Sequence, residues 1–167
     1  MTQYLVADTN CWIYNNSMND FIYALHECLG FMTITANRKM SAFLHHKMKK
    51  AGLNLSSEQW GVLAHLWNQK SATQEELAQM ACVDKSTMSR VISRMERNGL
   101  ITRRLDPADA RRKILYPTQM SDALRDRSAA VARGVLALAL ENVDRQDHAA
   151  CLKVLAAVKD NLRKHGR

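Results

Sequence analysis

Between Asp84 and Lys113 the chain carries nine cationic side chains (Lys85, Arg90, Arg94, Arg97, Arg103, Arg104, Arg111, Arg112, Lys113) against four acids (Asp84, Glu96, Asp106, Asp109), a local charge of +5. The hydroxyls of Ser86, Thr87 and Ser89 are interleaved with the first of these cations. Guanidinium and ammonium groups neutralise phosphates, Arg and Lys pair with guanine edges in a major groove, and Ser and Thr hydroxyls adapt to either kind of partner. Residues 1–37, by contrast, contain Asp8, Asp20 and Glu27 and no Lys or Arg. The positive field is thus concentrated in one segment, as a phosphate-binding surface requires, and the formal net charge of +8 points the same way.

Bond-making chemistry has little support. There is no Gly-rich phosphate loop, no HExxH and no nucleophile elbow, so no catalytic residue and no cofactor is expected. Cys11, Cys28, Cys82 and Cys151 lack CxxC spacing and the crowding of a disulfide scaffold, which fits a reducing cytoplasm. Adjacent His45 and His46 diverge around a helix, and His26 and Cys28 are two residues apart, so no metal site is expected. No apolar run approaches the roughly 20 residues that span a bilayer, and no membrane partner is expected.

The elements that must position the cations are mostly helical, given a 47% hydrophobic fraction, 2 Pro and 6 Gly. Residues 1–19 read as an extension without clear period, in which Trp12 and Tyr14 are too apolar for a free tail. From Phe21 to about Lys49, Ile22, Leu25, Leu29, Met32, Ala36, Met40, Phe43 and Leu44 recur at helical steps, with Gly52 as the stop. Ser56 with Gln59 forms a capping-box pattern, flanked by a Leu55 and Trp60 staple, which opens a helix over 57–68. Thr73 with Glu76 repeats the pattern for 74–81. Asp84 is placed to cap a third helix that ends near Asn98–Gly99.

Leu100–Leu105 and Arg111–Tyr116 flank the turn-rich Asp106-Pro107-Ala108-Asp109-Ala110 and predict a β-hairpin that Pro117 terminates. The rest reads as helix, on Leu124, Val131, Val135 and Leu138 and then on Leu152, Leu155, Val158 and Leu162, with Asp144 as a cap between. In the central segment Ala78 allows close helix crossing and Val83 plugs the turn. Met88, Val91, Ile92 and Met95 give the next helix a buried stripe.

The fold class expected is mainly α with a small β-hairpin wing: a winged helix-turn-helix at 53–117, a dimerisation helix at 20–50 and C-terminal dimerisation helices at 118–167. The apolar stripes Ile22–Leu44 and Leu152–Leu162 offer more surface than one small lobe covers, which points to a homodimer. The candidate DNA contacts are Thr73, Gln74, Lys85, Ser86, Thr87, Ser89, Arg90, Arg94, Arg103, Asp109, Arg111 and Arg112. Asp109, two residues before Arg111, is placed to brace its guanidinium.

From about Leu29 to Leu124, and most specifically from Val83 to Arg103, the chain resembles the MarR family of winged-helix regulators. Asp109-Ala110-Arg111 is similar to the family's Asp-x-Arg wing signature, and Pro117-Thr118 stands where its last helical region begins with Leu-Thr. Ser121 departs from a Gly usual there. The resemblance implies a two-fold dimer with two recognition helices in successive major grooves of an operator and each Arg111 in a flanking minor groove. It also implies control by a small aromatic or amphipathic effector, for which Met32, Met40, Trp60, His65 and Trp67 are the candidate pocket residues. Two alternatives stay open: a thiol-based redox sensor of the same fold acting through Cys28, and a winged-helix module that binds protein.

Overall fold

The computed structural model describes residues 25–165 except 108 and 110, so the expectations for 1–19 and for the helix start at 21–24 lie outside the described residues. A 3-10 turn at Leu25–Glu27 precedes α1, Leu29–Lys50. Then follow α2 (Ser57–Gln69), β1 (Ala72–Thr73), α3 (Gln74–Ala81), α4 (Lys85–Arg97), β2 (Ile101–Leu105) and β3 (Lys113–Pro117). The chain finishes with α5 (Gln119–Asp122), α6 (Arg125–Ala139) and α7 (Arg145–His165). The chain divides into two compact units within α1, between Phe43 and Leu44. No helix among the described residues is long and apolar enough to cross a membrane.

The helix starts follow from local chemistry. Ser56 and Thr73 each accept a hydrogen bond from the backbone N–H three residues on, and the Gln59 and Glu76 side chains accept one from the cap residue's own N–H. Two of the orphan donors at each helix start are thereby satisfied. Thr118 and Ser121 build a third capping box at α5. Ser121 is fully buried there and donates its hydroxyl to the Thr118 carbonyl at 2.9 Å, which gives the serine a task that glycine has no side chain to perform. Gly52 and Gly99 close the turns after α1 and α4 at φ of +71° and +68°, a region that favours glycine.

The core of the larger unit joins Leu55, Val62, Leu63 and Leu66 of the α2 region to Leu77 and Ala78 of α3. Met88, Ile92 and Met95 of α4 and Leu115 of β3 complete it. α2, α3 and α4 thus share one apolar centre, and the expected stripe on α4 is confirmed. The sheet is three-stranded and antiparallel in the order β1-β3-β2, with Leu115 opposite both Ala72 and Arg103. The expected hairpin is present. The third strand, Ala72–Thr73, is an addition to it.

Several local expectations are corrected. The long first helix begins at Leu29, because the chain makes a 3-10 turn over Leu25–Glu27 in which the Cys28 N–H bonds to the Leu25 carbonyl. Val83 does not plug the helix-turn-helix turn, being 37% exposed. Backbone closes the turn instead: Cys82 is left-handed at φ +51°, and the Val83 and Cys82 N–H groups bond to the Ala78 and Gln79 carbonyls. That conformation leaves Cys82 exposed.

Met95 is fully buried where α4 packs on the sheet. Met95→Ala should cost about 2–5 kcal/mol through lost burial and the cavity left behind. Urea unfolding checks it: the midpoint should fall with an unchanged slope, whereas a loss below about 1 kcal/mol would show that the core collapses into the gap.

Candidate nucleic-acid interface

Thirteen residues of α4 separate two faces. Met88, Ile92 and Met95 point into the core, while Ser86, Arg90, Ser93 and Arg97 follow one another at steps of three and four along the exposed side, with Arg94 exposed beside them. The start of the helix is built around Asp84. One carboxylate oxygen accepts from the Thr87 N–H at 2.8 Å and from the Ser86 hydroxyl at 2.5 Å, and the other accepts from the Thr87 hydroxyl at 2.8 Å. These donors, with Ser86 foremost, hold the Asp84 carboxyl far below its ordinary value.

Thr87 then passes the order on, because its hydroxyl oxygen accepts from Arg90 Nη2 at 3.2 Å. Ser89 is half-buried and Arg90 and Arg94 are exposed. Lys85 is tethered from the preceding helix: Glu75 meets its ammonium at 3.0 Å, and Gln74 Nε2 donates to its carbonyl at 3.2 Å. Both ends of the Lys85–Glu75 pair are well exposed, so its role is orientation more than stability.

On the wing, Arg111 and Arg112 sit in the turn between β2 and β3 and not in a strand. Asp109 does not brace the Arg111 guanidinium as expected. Its Oδ1 accepts from the Arg111 backbone N–H at 3.0 Å and its carbonyl from the Arg112 N–H at 2.9 Å, an Asx-type turn that satisfies the carboxylate locally. The Arg111 guanidinium has no hydrogen-bond or ion-pair partner among the described residues. Arg112 lies 4.0 Å from Asp106. Arg103 is gripped by Glu96 through two bonds, Nε to Oε1 at 3.1 Å and Nη2 to Oε2 at 2.7 Å, and Arg104 lies 5.2 Å from the centre of the Tyr116 ring. Glu96, Glu75, Asp106 and Tyr116 are organising residues that sequence reasoning did not assign, since each partner arrives from another element.

A cleft of about 270 Å³ is lined by Thr73, Gln74 and Glu75 from the start of α3 and by Arg103, Arg111 and Arg112 from the wing. Thr73 caps α3, and its amide and hydroxyl hold Glu76 as a carboxylate below its ordinary value. A cleft with guanidinium groups and a helix start is suited to a phosphate oxygen. Of the other candidates, Trp60 and Trp67 pack against the core from α2, and Trp67 Nε1 donates to Asp122 at 3.1 Å. His65 is half-buried on the same helix, Met32 and Met40 are exposed on α1, and Cys28 is buried just before it.

Comparison with known proteins agrees with this arrangement. The organic hydroperoxide resistance transcriptional regulator of Bacillus subtilis (strain 168) is 25% identical over 118 residues, 71% of this chain and 79% of its own. A probable transcriptional regulator from Pseudomonas aeruginosa superposes with a TM-score of 0.71 at 27% identity, over 80% of this chain and 98% of that one. Bordetella bronchiseptica BpsR, whose DNA binding is regulated by 6-hydroxynicotinic acid, superposes with a TM-score of 0.73 at 21% identity, over 83% of this chain and 98% of its own.

The Asp84 cap yields a pH test. A carboxyl whose pKa is depressed by folding stabilises fully above its unfolded value, near 3.8, and loses that contribution as pH falls below it. Asp84→Asn keeps one acceptor but loses the charge and the second oxygen, so it should be less stable than wild type at neutral pH, with the gap closing below about pH 4. Denaturant titrations at several pH values check this, and a gap that widens in acid would contradict it. Residues 55–113, which run through the winged-helix arrangement to the start of β3, match the MarR family.

Proposed function

We propose that the protein is a sequence-specific, double-stranded-DNA-binding transcriptional repressor that acts as a homodimer on a pseudo-palindromic operator. The observation that carries this is the pairing, within one unit, of an exposed Ser/Arg face on α4 with a wing turn whose Arg111 guanidinium is uncommitted. In this reading Ser86, Ser89 and Arg90 meet base edges in the major groove, with Thr87 steadying Arg90. Thr73, Gln74, Lys85, Arg94 and Arg112 meet the phosphate backbone, and Arg111 enters the flanking minor groove from a turn that Asp109 shapes. Arg103 supports the wing.

Association is assigned to the segments 20–50 and 118–167. Within the latter, α7 buries none of its residues, and Leu152, Val154 and Leu162 are 55%, 50% and 67% exposed. Leu29, Phe31 and Met32 on α1 are exposed as well. A second copy would cover such apolar surfaces, with two-fold symmetry matching that of the operator.

Release by a small aromatic or amphipathic ligand is the regulatory reading, supported by the 6-hydroxynicotinic acid response of BpsR. On α2 the Trp60 indole N–H is buried with no hydrogen-bond partner among the described residues, an unmet donor that a polar ligand atom would satisfy. Burial of Cys28 argues against direct thiol oxidation as the trigger.

Genomic fragments selected by the protein should share a two-fold site with half-sites about 10 bp apart. On that site Arg90→Ala should cost about 1–3 kcal/mol and relax preference at one base pair, while Arg111→Ala should weaken binding with less change in major-groove preference. Full affinity and specificity in both variants would remove α4 and the wing from the interface. Calorimetric titration of an aromatic acid with and without the operator fragment tests release: affinity for the acid should fall when DNA is bound, and equal affinities would exclude that acid as an effector.

A further inference from the structure

Arg103 is the cation whose placement fits DNA contact least. Both guanidinium edges that face Glu96 are spent on its carboxylate, and the pair is partly shielded, at 27% and 31% side-chain exposure, against 73% and 59% for Lys85 and Glu75. A bidentate, half-buried Arg–carboxylate pair is both stronger and more directional than an exposed Lys–Glu contact. Its charge is also neutralised where it stands.

The position of the pair matters as much as its geometry. Glu96 lies in the last turn of α4 and Arg103 in the middle of β2, so the pair bridges the connection between recognition helix and wing. That connection is otherwise fixed at its base by backbone: Gly99 N–H to the Glu96 carbonyl, Leu100 N–H to the Met95 carbonyl, and the Thr118 hydroxyl to the Gly99 carbonyl. These bonds hold the first residues of the turn but none of them fixes the lean of the hairpin beyond Ile101. Arg103 adds a side-chain tie to α4 there, from the position opposite Leu115, the buried residue of β3 that also pairs with Ala72.

We propose that Glu96 and Arg103 are a positioning pair that sets the angle between recognition helix and wing, so that Arg103 serves DNA binding through the placement of Arg111 and not by touching DNA. This rests on the DNA-binding reading given above. The two roles for Arg103 predict opposite signs. If Arg103 contacts phosphate, removing Glu96 frees a cation and tightens binding. If it positions the wing, removing Glu96 weakens binding, and only while Arg111 is present to profit from the wing's position.

The test measures affinity for a genomic fragment selected by the wild-type protein, using wild type, Glu96→Gln, Arg111→Ala and the double variant. Glu96→Gln should weaken binding about three- to tenfold, and should add little in the Arg111→Ala background. Exchanging the charges, Glu96→Arg with Arg103→Glu, should recover most of the loss, although it puts an acid where a phosphate contact would have been. Tighter binding by Glu96→Gln, an undiminished effect without Arg111, or no recovery on charge exchange would overturn the proposal. Amide exchange without DNA separates this proposal from the DNA-binding reading. Faster exchange along Lys113–Tyr116 in Glu96→Gln supports the pair even if no DNA is bound, and unchanged exchange overturns it.

Discussion

The geometry of this protein turns on the backbone pairing around Leu115. Its strand lies between Ala72 on one side and Arg103 on the other, so one buried residue ties together the start of α3, the base of the wing and, through Arg103 and Glu96, the end of α4. Two residues of β1 are enough, because their ladder bonds lie directly before the Thr73 cap. Every cation assigned to DNA is placed by an element that touches this small sheet or packs on the core beneath it.

The same constraint explains how a cationic surface is kept ordered without losing its charge. Acids are present throughout the segment, but each is used on a helix start, a turn amide or one chosen cation. Asp84 caps α4, Asp109 shapes the wing turn, Glu76 closes the α3 box, and Glu96 holds Arg103. Arg111 and the outer face of α4 are left to carry the uncompensated charge. Local hydrogen bonding by the acids leaves their charges in place but reduces the conformational freedom of the groups they hold.

Much of this was legible in the sequence, and where it was not the cause is distance along the chain. The boxes at Ser56 and Thr73 and the cap at Asp84 are written within four residues, and each forms as read. The stripe Met88, Ile92 and Met95 is likewise a local period. β1 has no local signal, because its partners Ile114 and Leu115 lie some forty residues away. The grip of Glu96 on Arg103 needs the chain to reverse at Gly99 first. Val83 misled because an apolar residue in a tight turn suggests a plug, whereas left-handed Cys82 lets backbone bonds close the turn and leaves Val83 at the surface. Asp109 was correctly placed beside Arg111, but an aspartate two residues upstream reaches the backbone amide more readily than the end of a long side chain.

The central claim is that one register, fixed at Leu115, holds the recognition helix and the wing at the spacing of adjacent grooves on one duplex. A crystal structure of the protein with its selected genomic fragment tests this most directly. The account predicts Arg90 at base edges in the major groove and Arg111 in the minor groove beside it, within the same half-site, with the pairing of Ala72, Leu115 and Arg103 unchanged. A complex in which the wing lies away from the duplex, or in which α4 meets DNA only after that pairing is broken, would contradict it.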